Sequence, residues 1–267
     1  MDATTPVALW HGQEADTNVI AVAVHAGHAL RADVAAEMAL PEAVRFREED
    51  PGTADWAARF PSYLVADRSR FEVDLNRPRH DAVYRGSEEA WGLDIWRRPL
   101  PAELVDQSLA GYDAFYAVLG GMLDRAEAAF GSFVVYDLHS YNHRRGGPGG
   151  PPADPAGHPD VNVGTGSMDR IRWAPLVERF MADLRAAELP ATGHLDVREN
   201  VCFRGRHVAQ WVHERYPQTG CALAIEVKKF YMDEHTGTFD EQLTRAVGDT
   251  LAGSVAAVSD ELGRLPV

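Results

Sequence analysis

Three short apolar runs each lead into a residue that can do chemistry. Val19-Ile20-Ala21-Val22-Ala23-Val24 ends at His25, Phe133-Val134-Val135-Tyr136 leads through Asp137-Leu138 to His139, and Cys221-Ala222-Leu223-Ala224-Ile225 ends at Glu226. A fourth stretch, Glu48-Glu49-Asp50, sets acids just ahead of Pro51-Gly52. A lone His at a strand end commonly does no more than donate a hydrogen bond. Two of them, with an acid, match the donor set of a catalytic zinc, which takes about three protein ligands and leaves a position open for water. His28, three residues beyond His25, is a lesser candidate ligand.

Such a metal lowers the pKa of its water and polarises a substrate carbonyl. A separate carboxylate is then needed to take the proton and return it to the leaving group. Glu226 suits that role, because burial at the end of an apolar strand raises a carboxyl pKa. It reads equally as an ion-pair partner of Lys228 or Lys229. Asp137, two residues before His139, shares a strand face with it and can orient the imidazole. In Ser69-Arg70-Phe71-Glu72-Val73-Asp74-Leu75-Asn76-Arg77-Pro78 the alternation puts Phe71, Val73 and Leu75 on one face, with Asn76 and Arg77 emerging where Pro78 halts the strand. An arginine offers a planar fork for a substrate carboxylate. Arg70 and Arg77 also read as plain surface neutralisation of an acidic protein.

The elements that must position these residues alternate. The three apolar runs predict strands buried on both faces of a sheet, and Tyr63–Ala66 and Phe71–Leu75 predict a shorter pair. Pro101–Phe130 carries apolar residues near a 3.6 period, with Gly120-Gly121 as a possible bend. Trp173–Leu189, Val208–Tyr216 and Phe239–Leu262 predict further helices. Strand–helix alternation gives an α/β fold with helices on both faces of the sheet. No internal repeat or linker divides the chain, so residues 1–267 read as one domain. Gly146-Gly147-Pro148-Gly149-Gly150-Pro151-Pro152 follows a strand end and reads as either a surface insertion or a mobile lid.

Composition narrows the function classes. Of 267 residues, 26 are Lys or Arg and 40 are Asp or Glu, giving a formal charge of −14. That balance disfavours nucleic acid and anionic membrane as partners, yet allows a local basic pocket for a small anion. Two cysteines, without metal-motif spacing, favour a reducing compartment. No signal peptide or membrane span is evident, and a cytoplasmic location is expected. No Gly-x-Ser-x-Gly elbow, GxGxxG turn or Walker loop occurs, which disfavours serine hydrolases and nucleotide cofactors. The residues by themselves indicate an α/β metallohydrolase.

Taken in order, Val24-His25-Ala26-Gly27, Glu49-Asp50, Ser69-Arg70-Phe71 with Asp74-Leu75-Asn76-Arg77-Pro78, Asp137-Leu138-His139-Ser140, Asn162-Val163-Gly164-Thr165, Phe203-Arg204-Gly205 with His207, and Ile225-Glu226-Val227 resemble the N-formylglutamate amidohydrolase family. The resemblance runs from about Val19 to Asp233. It implies a fold similar to zinc carboxypeptidases and aminoacylase-type deacylases, a mixed, mostly parallel sheet of about eight strands between helices, with one zinc per chain. By the same resemblance His25, Asp50 and His139 are the zinc ligands, Asp50 being chosen over Glu48 and Glu49. Glu226 is the general base and then acid. Arg77 with Asn76 grips the substrate carboxylate and polarises the scissile carbonyl, while Arg70, His207 and Asn162 complete the substrate site. Val24 stands where the family usually has Pro. His143-Arg144-Arg145, the Gly/Pro insertion and Lys228–Glu234 resemble a divergent branch. The implied reaction is hydrolysis of a C–N amide bond in a small carboxylate-bearing substrate such as an N-formyl or N-acyl amino acid. Cleavage of glutamyl amides or short peptides is the nearest rival, and a non-catalytic metal or carboxylate binder the next. Iron or manganese would suit the same ligands as zinc.

Overall fold

The computed structural model describes residues 9–144 and 146–265. Arg145 and residues 1–8, which include most of the N-terminal stretch read above for targeting signals, lie outside the described residues. Seven strands form the main sheet: β1 (Trp10–Gln13), β2 (Val19–Ala23), β3 (Ser62–Ala66), β4 (Phe133–Tyr141), β5 (Val161–Gly164), β6 (Val197–Glu199) and β7 (Gly220–Lys228). Their order is β1-β3-β2-β4-β7-β5-β6. The central β3-β2-β4-β7 pairings are parallel. β1 runs antiparallel to β3 at one edge, and β5 antiparallel to β7 towards the other, with β6 parallel to β5. The mixed, mostly parallel sheet is as expected, with seven strands in place of about eight.

The helices are α1 (Ala32–Glu37), α2 (Glu42–Glu48), α3 (Thr53–Ala57), α4 (Ala102–Phe130), α5 (Ala174–Ala186), α6 (His207–Arg215), α7 (Glu241–Gly253) and α8 (Val255–Leu262). β2 is buried along its whole length because both of its faces are covered. Val19, Ala21 and Ala23 pack with Trp56, Phe180, Leu243 and Val258 on the side of α3, α5, α7 and α8. Ile20, Val22 and Val24 pack with Phe115, Leu119, Leu123 and Val212 on the side of α4 and α6. Fully burying one such Val contributes roughly 1.5–3 kcal/mol, so this double-sided core fixes the register of the strands that carry the site.

α4 runs unbroken through Gly120-Gly121, with Gly120 facing Trp211 of α6. It ends at Gly131, whose φ of +77° suits a residue without Cβ. The helix expected over Phe239–Leu262 is two helices divided at Ser254, whose hydroxyl donates to the Leu251 carbonyl and meets the Tyr136 hydroxyl. Phe71–Leu75 is not a strand. Glu72 N and Val73 N both donate to Ser69 O, and Arg77 N donates to Asp74 O, so the segment is a chain of turns. The period-2 reading fails there because the buried polar side chains pair at i,i+4, Arg68 with Glu72 and Arg70 with Asp74. Among the described residues no helix is long and apolar enough to cross a membrane.

Candidate active site

The pleat decides which side chains meet. On β4, Phe133 and Val135 face α4, so Asp137 and His139 continue that face; on β7, Ala222 and Ala224 do the same, and Glu226 follows. His139 is in register with Glu226 on the neighbouring parallel strand, and Asn162 lies opposite Glu226 on β5. His25 arrives just past the end of β2, and its carbonyl accepts from Asp50 N at 2.9 Å, which brings the acidic turn alongside. His25, His139 and Glu226 lie at the carboxyl ends of parallel strands, where open α/β sheets form their sites.

His25, Asp50 and His139 converge, each at least nine-tenths buried, with one ligand atom apiece within 4.8 Å of the others. Asp50 Oδ2 lies 3.0 Å from His139 Nδ1 and 3.4 Å from His25 Nδ1. Ligands bound tetrahedrally at 2.0–2.1 Å are about 3.3 Å apart, so the donor set fits a divalent ion. The far side of each ring supports the same conclusion. His25 Nε2 donates to Asp74 Oδ1 at 2.6 Å and His139 Nε2 to Asp137 Oδ1 at 2.9 Å. Both Nδ1 atoms are thereby turned towards Asp50, the arrangement by which outer carboxylates orient metal-bound imidazoles. Asp74 is held in turn by Arg70 at 2.8 Å and by the Tyr84 hydroxyl.

Burial pushes the Asp50 carboxyl up, but hydrogen bonds from His139 and His25 outweigh it and hold the group well below the usual carboxylate range. Burial opposes charge on His139 too, yet Asp137 and Asp50 hold its pKa well above that of a free imidazole. Glu226 behaves oppositely. Burial pushes it up to about 7, with Asp50 and Asp137 adding to the rise and His139 pulling against it.

Glu48 and Glu49 point elsewhere. Glu49 accepts from Arg45, His28 and Ser69 in a buried network, which also accounts for His28. Glu48 pairs with Arg47 at the cavity wall. Glu226 makes no ion pair with either neighbouring lysine: Lys228 pairs with Asp160, and the buried Lys229 donates to Arg47 O, Glu49 O and Asn142 Oδ1. With Tyr231, whose hydroxyl donates to Pro51 O, Lys229 clamps the Asp50 turn to the end of β7.

A cavity of about 360 Å³ opens over these groups, lined by His25, Asp50, His139, Glu226, Arg70 and Asn76 among others. The sequence model of the N-formylglutamate amidohydrolase family matches residues 17–232. The chain belongs to that family. The family is one of hydrolases, in agreement with the resemblance carried by the motifs. An N-formylglutamate amidohydrolase from Ralstonia eutropha JMP134 shares the fold with a TM-score of 0.74 and 18% identity, over 94% of this chain and 98% of that one. A gene product from Agrobacterium tumefaciens shares it at 0.64 and 16%, over 94% and 96%. No curated protein matches the chain.

Not every residue expected at the site reaches it. Arg77 is off the cavity wall, its guanidinium donating to Glu89 O and lying 4.5 Å over the Tyr84 ring. The turn that replaces the expected strand aims it there. His207 is also off the wall, meeting the Tyr112 hydroxyl at 2.7 Å. Asn162 is fully buried and organises a loop: its Oδ1 accepts from Val201 N and Cys202 N, and its Nδ2 donates to Phe203 O. Asn76 accepts from Val208 N at the start of α6, and its Nδ2 lies 3.1 Å from His139 Nε2. None of the described residues 146–152 lines the cavity. Arg47, Trp91 and Arg206 do line it and had no signal in the sequence beyond their types, and Lys229, read above only as a possible ion-pair partner of Glu226, lines it too.

Proposed function

We propose that this hydrolase is a metal-dependent amidohydrolase that cleaves a C–N amide bond in a small, carboxylate-bearing substrate such as an N-formyl or N-acyl amino acid. The observation that carries the reading is the convergence of His25, Asp50 and His139 with Glu226 in register beside His139. Those three ligands suit zinc, which when bound there would polarise the amide carbonyl and acidify an attacking water. In this reading Glu226 takes a proton from the attacking water and passes one to the departing amine, and a pKa near 7 suits a group that must both accept and donate. Asp74 and Asp137 keep the two imidazoles in one tautomer. Arg70, stacked 5.0 Å from the Trp91 ring, adds positive charge at the wall for the developing oxyanion. The whole chain, residues 1–267, is taken as one catalytic unit because its working groups span positions 25 to 226. The cavity volume also accommodates a dipeptide-sized amide, which supports glutamyl-amide or short-peptide cleavage as a second reading.

Purified protein is expected to hold about one zinc per chain by elemental analysis. Glu226→Gln should keep that metal while kcat falls by roughly 10²–10⁴. Near-normal turnover in this variant would remove Glu226 from the mechanism.

A further inference from the structure

Among the described residues four cations line the cavity, and three are already engaged. Arg70 bonds Asp74 at 2.8 Å, Arg47 meets Glu48 and Glu234 at 3.3 Å each, and all three Nζ protons of Lys229 have acceptors. Arg206 is exposed at the cavity, and among the described residues its side chain has neither an ion-pair nor a hydrogen-bond partner.

The backbone that carries it is fixed from three sides. Asn162 holds Val201 N, Cys202 N and Phe203 O. Gly166 N donates to Arg204 O at 2.7 Å. Gly205, at φ +91°, packs so closely on β5 that a Cβ at Gly164 would lie 2.5 Å from Gly205 N. Val208 N, just beyond, is held by Asn76. A rigid loop thus presents a flexible, unpaired guanidinium to the cavity that holds Glu226 and the metal ligands.

We infer that Arg206 is the specificity-determining residue that recognises a carboxylate on the substrate; Arg77, expected in that role, lies instead against Tyr84 and Glu89 with its Nε 3.5 Å from Asp74. The inference rests on the amidohydrolase reading of the same site. A planar fork binds a carboxylate through two parallel hydrogen bonds, and an unpaired, solvated guanidinium need break no internal ion pair to do so. The ligand class is an amide that carries a carboxylate within reach of the exposed Arg206 at the cavity.

The test uses zinc-loaded full-length protein and two readouts. Hydrolysis compares N-formylglutamate with its neutral diamide, and calorimetry measures binding of glutarate. Arg206→Gln should lower the preference for the carboxylate substrate at least tenfold, through KM, and weaken glutarate at least tenfold, with Arg206→Lys intermediate. Arg204→Gln, a change of equal charge two loop positions away, should keep the wild-type preference. Unchanged preference or glutarate affinity in Arg206→Gln, or an equal loss in Arg204→Gln, would overturn the assignment. If no amide is hydrolysed but glutarate binding still depends on Arg206, the reaction is wrong and the anion site stands. Hydrolysis with preference unaltered by Arg206→Gln sinks the anion site alone.

Discussion

At the scale of single residues, the site is built from carboxylates given opposite characters by their surroundings. Asp50 and Asp74 each face an imidazole and are held in the charged form, while Glu226, with no cation in direct contact among the described residues, is pushed towards neutrality. Asp137 shows how much of this is support. It is fully buried, one oxygen accepts from His139 Nε2, and the other has no hydrogen-bond partner among the described residues. Asp137→Asn keeps the volume but removes the charge that orients the ring, so metal affinity should weaken roughly 10–100-fold in competition with a chromophoric chelator. An unaltered affinity would mean that His139 is oriented by packing alone. His25, His139 and Glu226 were legible in the sequence because apolar runs end at them. Arg206 was not, since an arginine in a polar loop carries no signal until the loop is seen folded over the cavity.

Elements impose the next set of constraints. Strands buried on both faces declared themselves as β-branched runs, and the long amphipathic pattern of α4 did likewise. Phe71–Leu75 misled because alternating apolar residues also arise in a chain of buried turns whose polar side chains have partners of their own. One junction between elements makes a pH-dependent prediction. His213 on α6 accepts from Ala222 N of β7 through Nε2 and donates from Nδ1 to Ser167 Oγ, and burial pushes its pKa down to about 4 from 6.5. The native ring is neutral, so between those values the unfolded chain binds the extra proton. The contribution is complete above about pH 6.5 and is lost as pH falls towards 4, with on the order of 2 kcal/mol gone by pH 5. Urea unfolding at pH 7 and pH 5 should show the stability gap between wild type and His213→Gln narrowing by that amount. A constant gap would refute the assignment of a neutral ring.

Over the whole molecule, His25, Asp50 and His139 are gathered from remote parts of the chain, so an ion held by them would stabilise only the folded state. Metal at about 100 times its Kd adds about 2.7 kcal/mol. For a chain of 267 residues a chelator should therefore lower the thermal midpoint by roughly 5–10 °C, restored by added zinc. No shift would argue that the His–Asp–His cluster is a structural ion-pair network. The pairing of β4 with β7, which sets His139 beside Glu226, has a further consequence in time. A ribosome releases His25, Asp50 and His139 well before it releases Glu226, and the loop bearing Arg206 also emerges late. A nascent chain halted short of β7 carries His25, Asp50 and His139 without Glu226, so under the proposed mechanism it would have the groups to hold an ion and none to receive a proton.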